Sequence, residues 1–185
     1  MDPKLVEARS VLVLGGARSG KSAYAQSLAE DAAPERVYLA TGEAGDAEMA
    51  ARIARHRAER SRGWTTLEEP LALVEALAAA ARPGRATLVD CLTLWLTNLM
   101  LAGRDVEAEV ARLAGSIGAL EGPAIIVSNE VGLGLVPETT LGRDFRDLQG
   151  LANQAVARAC DAVVFVSAGL PALMKPAPRL DLRLR

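Results

Sequence analysis

Five short stretches of the chain are apolar at most of their positions rather than at every second one. They are Val11–Leu14, Arg36–Thr41, Ala86–Asp90, Ala124–Ser128 and Ala162–Val166. A strand that is apolar on both faces belongs to a sheet covered on both sides. Patterns of helical period fall between these stretches, at Lys21–Ala32, Ala47–Arg60, Leu71–Arg82, Leu92–Met100, Val106–Leu120 and Leu141–Ala159. Pro34, Pro70, Pro83-Gly84, Gly122-Pro123 and Pro137 punctuate the connections. Strands alternating with helices predict an α/β protein of three layers around a mainly parallel sheet. No repeat and no linker divides the sequence, so residues 1–185 read as one domain. The end of the chain, Pro171 to Arg185, carries three prolines among Leu, Asp and Arg. It reads as a loose tail or an edge element.

An open parallel sheet binds its ligands at the carboxyl ends of the strands. The first strand runs there into Gly15-Gly16-Ala17-Arg18-Ser19-Gly20-Lys21-Ser22, which fits G-x-x-x-x-G-K-[ST] at every fixed position. Its strand–loop–helix setting is what that pattern requires. Glycines let the backbone curl around an anion, and the amides of the loop and of the helix N-terminus point at phosphate oxygens. Lys21 is placed to bridge the β- and γ-phosphates and Ser22 to hold Mg²⁺, while Arg18 and Ser19 stand at the tip of the loop. The whole chain has three lysines, so a lysine here is no accident of composition. The alternative is a glycine-rich turn that only caps a helix. This loop implies a nucleoside triphosphate but does not specify the chemistry done with it.

Thr41-Gly42-Glu43 follows the second strand, Asp90 ends the third and Asn129-Glu130-Val131-Gly132 follows the fourth. A carboxylate at the end of an apolar strand suits Mg²⁺ or a ribose hydroxyl, which makes Asp90 the second half of a phosphate site. Its alternative use is to cap the helix that begins near Leu92. His56 is the only histidine. On a helix it shares a face with Arg52 and Arg60, four residues to either side. Nearby positive charge opposes its protonation, and neutral imidazole is the nucleophilic form. From the residues alone, the plainer reading is a solvent-facing histidine on a charged helix.

Composition narrows the rest. Half of the residues are hydrophobic but only 3% are aromatic, so the core is aliphatic. A net charge of −2, with arginines dispersed, gives no footprint for nucleic acid. Cys91 and Cys160 lack metal-ligand spacing and read as buried free thiols in a reducing cytoplasm. The N-terminus has no apolar run of signal-peptide length, and no run approaches the length of a membrane span. The expectation is a soluble cytoplasmic protein.

Taken together, several segments resemble one family, the bifunctional adenosylcobinamide kinase / adenosylcobinamide-phosphate guanylyltransferases of cobalamin synthesis. The residues that carry the likeness are the loop at 15–22, Tyr38-Leu39-Ala40-Thr41, Glu48-Met49-Ala50-Ala51-Arg52-Ile53 leading to His56, and Asp90-Cys91-Leu92-Thr93 with Thr97-Asn98-Leu99. The most specific block is Ser128-Asn129-Glu130-Val131-Gly132-Leu133-Gly134-Leu135-Val136-Pro137, followed by Arg143-Asp144-Phe145-Arg146-Asp147 and Gly150-Leu151-Ala152-Asn153-Gln154. The likeness runs from about Ser10 to Val166. It implies a RecA-like P-loop NTPase fold and two reactions. ATP or GTP phosphorylates adenosylcobinamide, and GMP from GTP is then transferred to that phosphate, giving adenosylcobinamide-GDP and pyrophosphate.

The resemblance also implies a covalent GMP–histidine intermediate, for which His56 is the available histidine. It implies nucleotide contacts from Gly15, Gly16, Ala17, Arg18, Ser19, Gly20, Lys21 and Ser22, from Thr41, Gly42 and Glu43, and from Arg57, Ala58, Glu59 and Arg60. Glu68 is the expected glutamate contact, with Glu69 its rival, and Asp90 joins the site with Ser22 as a metal ligand. Gly42-Glu43 is the weaker match. A homotrimer is implied, with sites near subunit interfaces. Two other readings compete: a different small-molecule P-loop kinase with His56 incidental, and a nucleotide-dependent switch. The switch is disfavoured because Asn129-Glu130-Val131-Gly132 stands where a regulatory GTPase carries N-K-x-D.

Overall fold

The computed structural model describes residues 6–42 and 62–177. The strands are β1 (Ser10–Gly15), β2 (Glu35–Ala40), β3 (Trp64–Glu68), β4 (Arg85–Asp90), β5 (Ala124–Asn129), β6 (Ala162–Ser167) and β7 (Leu170–Lys175). The helices are α1 (Lys21–Ala32), α2 (Leu73–Ala80), α3 (Leu92–Leu101), α4 (Val106–Ile117) and α5 (Thr140–Ala159). The expected helix over 47–60 lies outside the described residues.

The seven strands form one sheet in the order β3-β2-β4-β5-β1-β6-β7. All neighbours are parallel except β6 and β7, which are antiparallel. Alternation along the central strands divides the core in two. Leu12, Val89 and Ile126 face α2, α3, α4 and α5, whereas Val13, Leu88, Ile125 and Val127 face α1. This two-sided burial is why the central strands read as continuous apolar runs. In α3, Leu92, Trp95, Leu96 and Leu99 are all buried, and the Trp95 indole donates to the carbonyl of Leu71 at 2.9 Å. The apolar character of that segment is therefore used in the core.

One strand went beyond the sequence reading. β3 joins the sheet edge beside β2, in register from Arg36↔Trp64 to Ala40↔Glu68. None of its residues is buried, so it lacks an apolar run to betray it. β7 is the edge alternative foreseen for the region after Pro171, although the strand begins one residue earlier; residues 178–185 lie outside the described set. Its Lys175 ammonium donates to the carbonyls of Ala157, Arg158 and Cys160, at 3.0, 2.9 and 2.5 Å. A cation thus closes the C-terminus of α5, where the helix dipole favours it.

Among the described residues, no helix is long and apolar enough to cross a membrane. Cys91 and Cys160 are both buried and unpaired.

Candidate active site

The loop after β1 is shaped by what cannot fit beside it. A β-carbon on Gly15 would lie 2.5 Å from both Ser19 Oγ and the carbonyl oxygen of Val166, so only glycine passes there. Gly20 then takes a left-handed φ of +94° immediately before α1, a conformation that costs glycine little. It is the N-cap residue of α1 and supplies no side-chain cap. The first-turn amides of α1 are therefore not claimed by a capping side chain, which leaves an anion to satisfy them.

The loop is anchored from two sides. Glu130 at the end of β5 donates its amide to the Gly15 carbonyl at 3.2 Å, and Gly169 donates to the Ser19 carbonyl at 2.8 Å. Ala168 and Gly169 both have positive φ, 51° and 79°. Two such residues make the primed turn that matches the twist of a tight hairpin, so β6–β7 acts as a buttress to the loop. Within this frame the Lys21 side chain is buried and its ammonium donates to the Gly16 carbonyl at 3.0 Å. Ser19 is also buried, and its hydroxyl has no hydrogen-bond partner among the described residues. A buried hydroxyl without a partner is rare in proteins, and here it faces a loop built for an oxyanion. Arg18 is exposed at the tip with φ 56°, Gly16 and Ser22 are half-buried, and Ala17 is exposed.

Register places the other polar strand ends along the same edge. Gly15 pairs with Asn129, Asp90 with Val127 and Ala40, and Ala40 with Glu68. β5 therefore stands between the loop strand and the strand that ends in Asp90. Two strand spacings separate them, roughly 10 Å. Asp90 is not the cap of α3, since the N-cap is Cys91 and makes no side-chain cap bond. Its Oδ2 instead accepts the Tyr38 hydroxyl at 2.9 Å. Among the described residues no group of three or more His, Cys, Asp or Glu could cage a metal. Mg²⁺ keeps its waters and takes one or two protein ligands plus phosphate oxygens; Ser22 and Asp90 are residues that could supply them.

Thr41 is fully buried. Its hydroxyl donates to the Cys91 carbonyl at 2.7 Å and accepts from the Cys91 amide at 2.9 Å, while its own carbonyl accepts from Asn98 at 2.7 Å. Its side chain braces the β2 and β4 ends, and Gly42 beside it is half-buried. Of the two glutamates after β3, Glu69 is occupied locally, accepting the amides of Leu71 and Ala72 at 3.0 and 2.8 Å. Glu68 is exposed at the strand end. Cys91, although next to Asp90, has its thiol pushed up to about 11, by burial first and then by the Asp90 charge. It is a protonated thiol at neutral pH and no nucleophile. Glu43, His56, Arg57, Ala58, Glu59 and Arg60 lie outside the described residues.

A buried polar cluster behind this edge was missed as a unit. Ser128 Oγ donates to Asn153 Oδ1 at 2.6 Å, and Gln149 Nε2 donates to both Ser128 Oγ and Asn153 Oδ1 at 2.9 and 3.0 Å. Asn153 then donates to the Asn129 carbonyl at 3.0 Å, and the Asn129 amide and side chain both donate to Thr93 Oγ1. The signal available in the sequence was Gln149 and Asn153, four residues apart on the inner face of α5.

The loop, its uncapped helix and the inserted strand define a nucleotide-binding P-loop protein of the α/β class. The fold is shared with solved ATPases: the chain superposes with a TM-score of 0.55 on the assembled type III secretion ATPase EscN of enteropathogenic E. coli, at 14% identity, covering 87% of this chain and 43% of that one. The sequence is more specific. The family model for cobinamide kinase / cobinamide phosphate guanyltransferase matches residues 11–174, and the chain belongs to that family. It is 50% identical over 169 residues to the bifunctional adenosylcobalamin biosynthesis protein CobP of Pseudomonas aeruginosa, covering 90% of this chain and 98% of that protein. To the bifunctional adenosylcobalamin biosynthesis protein CobU of Salmonella typhimurium it is 38% identical over 180 residues, covering 89% and 99%.

Proposed function

We propose that this chain performs both reactions of its family at one phosphate loop, phosphorylating adenosylcobinamide and then transferring GMP from GTP to the new phosphate. The observation that carries the reading is the loop itself: an uncapped α1 N-terminus, a buried Lys21, and a buried Ser19 hydroxyl that has no partner until an oxyanion arrives. Both reactions need this feature, because both develop negative charge on a polyphosphate.

In the kinase step Lys21 exchanges the Gly16 carbonyl for the phosphate chain and neutralises charge on the β- and γ-oxygens. The loop amides and Ser19 hold the same group in line with the substrate hydroxyl. Bound Mg²⁺ supplies charge neutralisation across the phosphates, with Ser22 and Asp90 as the residues that hold it. In the transferase step a ring nitrogen of His56 attacks the α-phosphorus of GTP. The N–P bond forms as the bond to the bridging oxygen breaks, and pyrophosphate leaves with its charge on Lys21 and the loop. The phosphate of adenosylcobinamide phosphate then attacks the same phosphorus, the N–P bond breaks, and histidine is regenerated. Gly42, Glu43, the segment Arg57 to Arg60, and Glu68 contact the nucleotide in this reading. The enzyme is read as a cytoplasmic homotrimer. In α3, Leu92, Trp95, Leu96 and Leu99 are buried within the subunit, while Leu101 at its end is exposed.

The experiment supplies the protein with adenosylcobinamide and, separately, with its phosphate, each with GTP and Mg²⁺, and analyses the products. Formation of the phosphate in one arm and of adenosylcobinamide-GDP with pyrophosphate in the other is expected. Phosphorylation without GMP transfer would reduce the protein to a plain kinase.

A further inference from the structure

We infer that residues 131–141, the loop from β5 together with the first residues of α5, form the surface on which the corrin macrocycle of the substrate docks. The inference rests on the functional reading above, since it presumes a cobinamide substrate.

Four large apolar side chains within nine residues stand in solvent here: Leu133 is 83% exposed, Leu135 97%, Val136 65% and Leu141 62%. Single exposed leucines are ordinary, but such a cluster has a use. The loop leaves the sheet beside the phosphate site. The amide of Glu130, one residue before the loop, is the group bonded to the Gly15 carbonyl. The segment that carries these side chains therefore starts beside the phosphate loop.

The loop is also braced. Arg143 donates to the carbonyls of Pro137 and Glu138 at 3.1 and 2.7 Å and to Thr140 Oγ1 at 3.2 Å, and the Thr139 hydroxyl oxygen accepts the Gly142 amide at 3.1 Å. The Glu130 carboxylate accepts the Gly132 amide at 2.7 Å. Ordering costs are thus largely met before binding.

Chemistry selects the occupant. A corrin is a broad, methyl-bearing ring rimmed with amides. Its ring is monoanionic, so cobalt(III) with one carbanionic axial ligand leaves the complex a cation. Between Asn129 and Gly142 the chain has two acids, Glu130 and Glu138, and the next basic residue, Arg143, is engaged by the carbonyls of Pro137 and Glu138 and by Thr140 Oγ1. An apolar platform flanked by carboxylates complements such a cation in both respects. An apolar cavity of about 240 Å³ near Arg9, Tyr24 and Leu28 does not compete. It lies by the amino ends of β1, β5 and β6, away from the phosphate loop, and falls below the roughly 300–1,000 Å³ of drug-sized ligand sites.

The test is the double variant Leu133→Gln/Leu135→Gln, with Leu135→Met as the conservative control. The double variant is expected to raise KM for adenosylcobinamide roughly tenfold or more, as loss of two buried leucine contacts implies. Its kcat should stay within about twofold, as expected when binding is lost uniformly. GTP affinity, melting temperature and sedimentation should stay as in the parent, and Leu135→Met should keep KM near the parent value. An unchanged KM overturns the inference, as does a double variant whose subunits dissociate, which would make the loop a contact between copies. If the parent protein turns over no cobinamide, the functional reading fails. Equilibrium binding of the corrinoid, followed by its visible absorbance, then decides the docking surface alone. Binding lost in the double variant supports it and equal binding refutes it.

Discussion

The Tyr38 hydroxyl donates to Oδ2 of Asp90 at 2.9 Å, so β2 fixes the carboxylate that ends its neighbour β4. A carboxylate held through one oxygen keeps the other as an acceptor for a metal-bound water or a ribose. Since α3 does not take its cap from Asp90, little fold stability depends on the charge. Asp90→Asn is expected to lower kcat/KM by roughly 10²–10³ with the melting temperature nearly unchanged. Tyr38→Phe, which only frees the carboxylate, should cost about tenfold. Steady-state kinetics beside thermal melts separate the outcomes. A lower melting temperature with normal turnover per folded molecule would make Asp90 structural.

Lys21 holds a loop carbonyl in this structure and a triphosphate in the proposed reactions. Lys21→Ala should weaken GTP binding and slow both half-reactions by at least about 10², the order found for loss of one preorganised donor. Loss of the bond to the Gly16 carbonyl should itself cost about 1 kcal/mol of stability. Titration of GTP with both product assays checks this; near-normal turnover at saturating GTP would remove the loop from the mechanism.

Gly15→Ala tests the packing of the loop. The added methyl meets a side-chain oxygen and the main-chain carbonyl of Val166, and the carbonyl belongs to a paired strand that cannot move freely. The variant should lose roughly 1–3 kcal/mol of stability and most of its GTP affinity. Denaturant titration and nucleotide binding measure the two effects.

At the amino ends of β1 and β6, Asp161 Oδ2 accepts the amides of Arg9 and Ser10 and the Ser10 hydroxyl, at 2.9, 3.0 and 3.0 Å. The Arg9 amide foremost holds its carboxyl below the ordinary carboxylate value; burial, the next largest effect, opposes it, and the Ser10 amide and hydroxyl add to the lowering. A depressed folded pKa contributes stability that is present above the unfolded value, about 3.9, and is lost as pH falls through the folded one. Asp161→Asn should therefore cost about 1 kcal/mol at neutral pH, a figure kept low because the residue is exposed. The gap between parent and variant should close below about pH 4. Melts across pH 2–7 check the slope, and a constant gap would contradict it.

The sheet was legible where burial was two-sided and the loop where glycine and lysine spacing is dictated by phosphate. β3 escaped because Trp64-Thr65-Thr66-Leu67-Glu68 is an edge strand with no buried residue, and its pairing is decided by β2 rather than by its own pattern. α2 begins at Leu73 rather than Leu71 because Glu69 takes the amides of Leu71 and Ala72. The bracing role of Thr41 was not legible, since what meets its hydroxyl is Cys91, fifty residues later in the chain. The Ser128–Gln149–Asn153 cluster was hidden for the same reason: partners 21 and 25 residues apart leave no local period.

The central claim is that one site runs two chemistries, of which only GMP transfer needs a covalent carrier. The most direct measurement gives His56→Asn GTP labelled on the α-phosphate and then assays each half-reaction. Asparagine keeps a polar group of similar reach without a nucleophilic ring nitrogen. The parent should form an acid-labile, base-stable GMP adduct. The variant should form none and make no adenosylcobinamide-GDP, while still phosphorylating adenosylcobinamide at a detectable rate. A labelled adduct in the variant, or loss of both reactions together, would contradict the account.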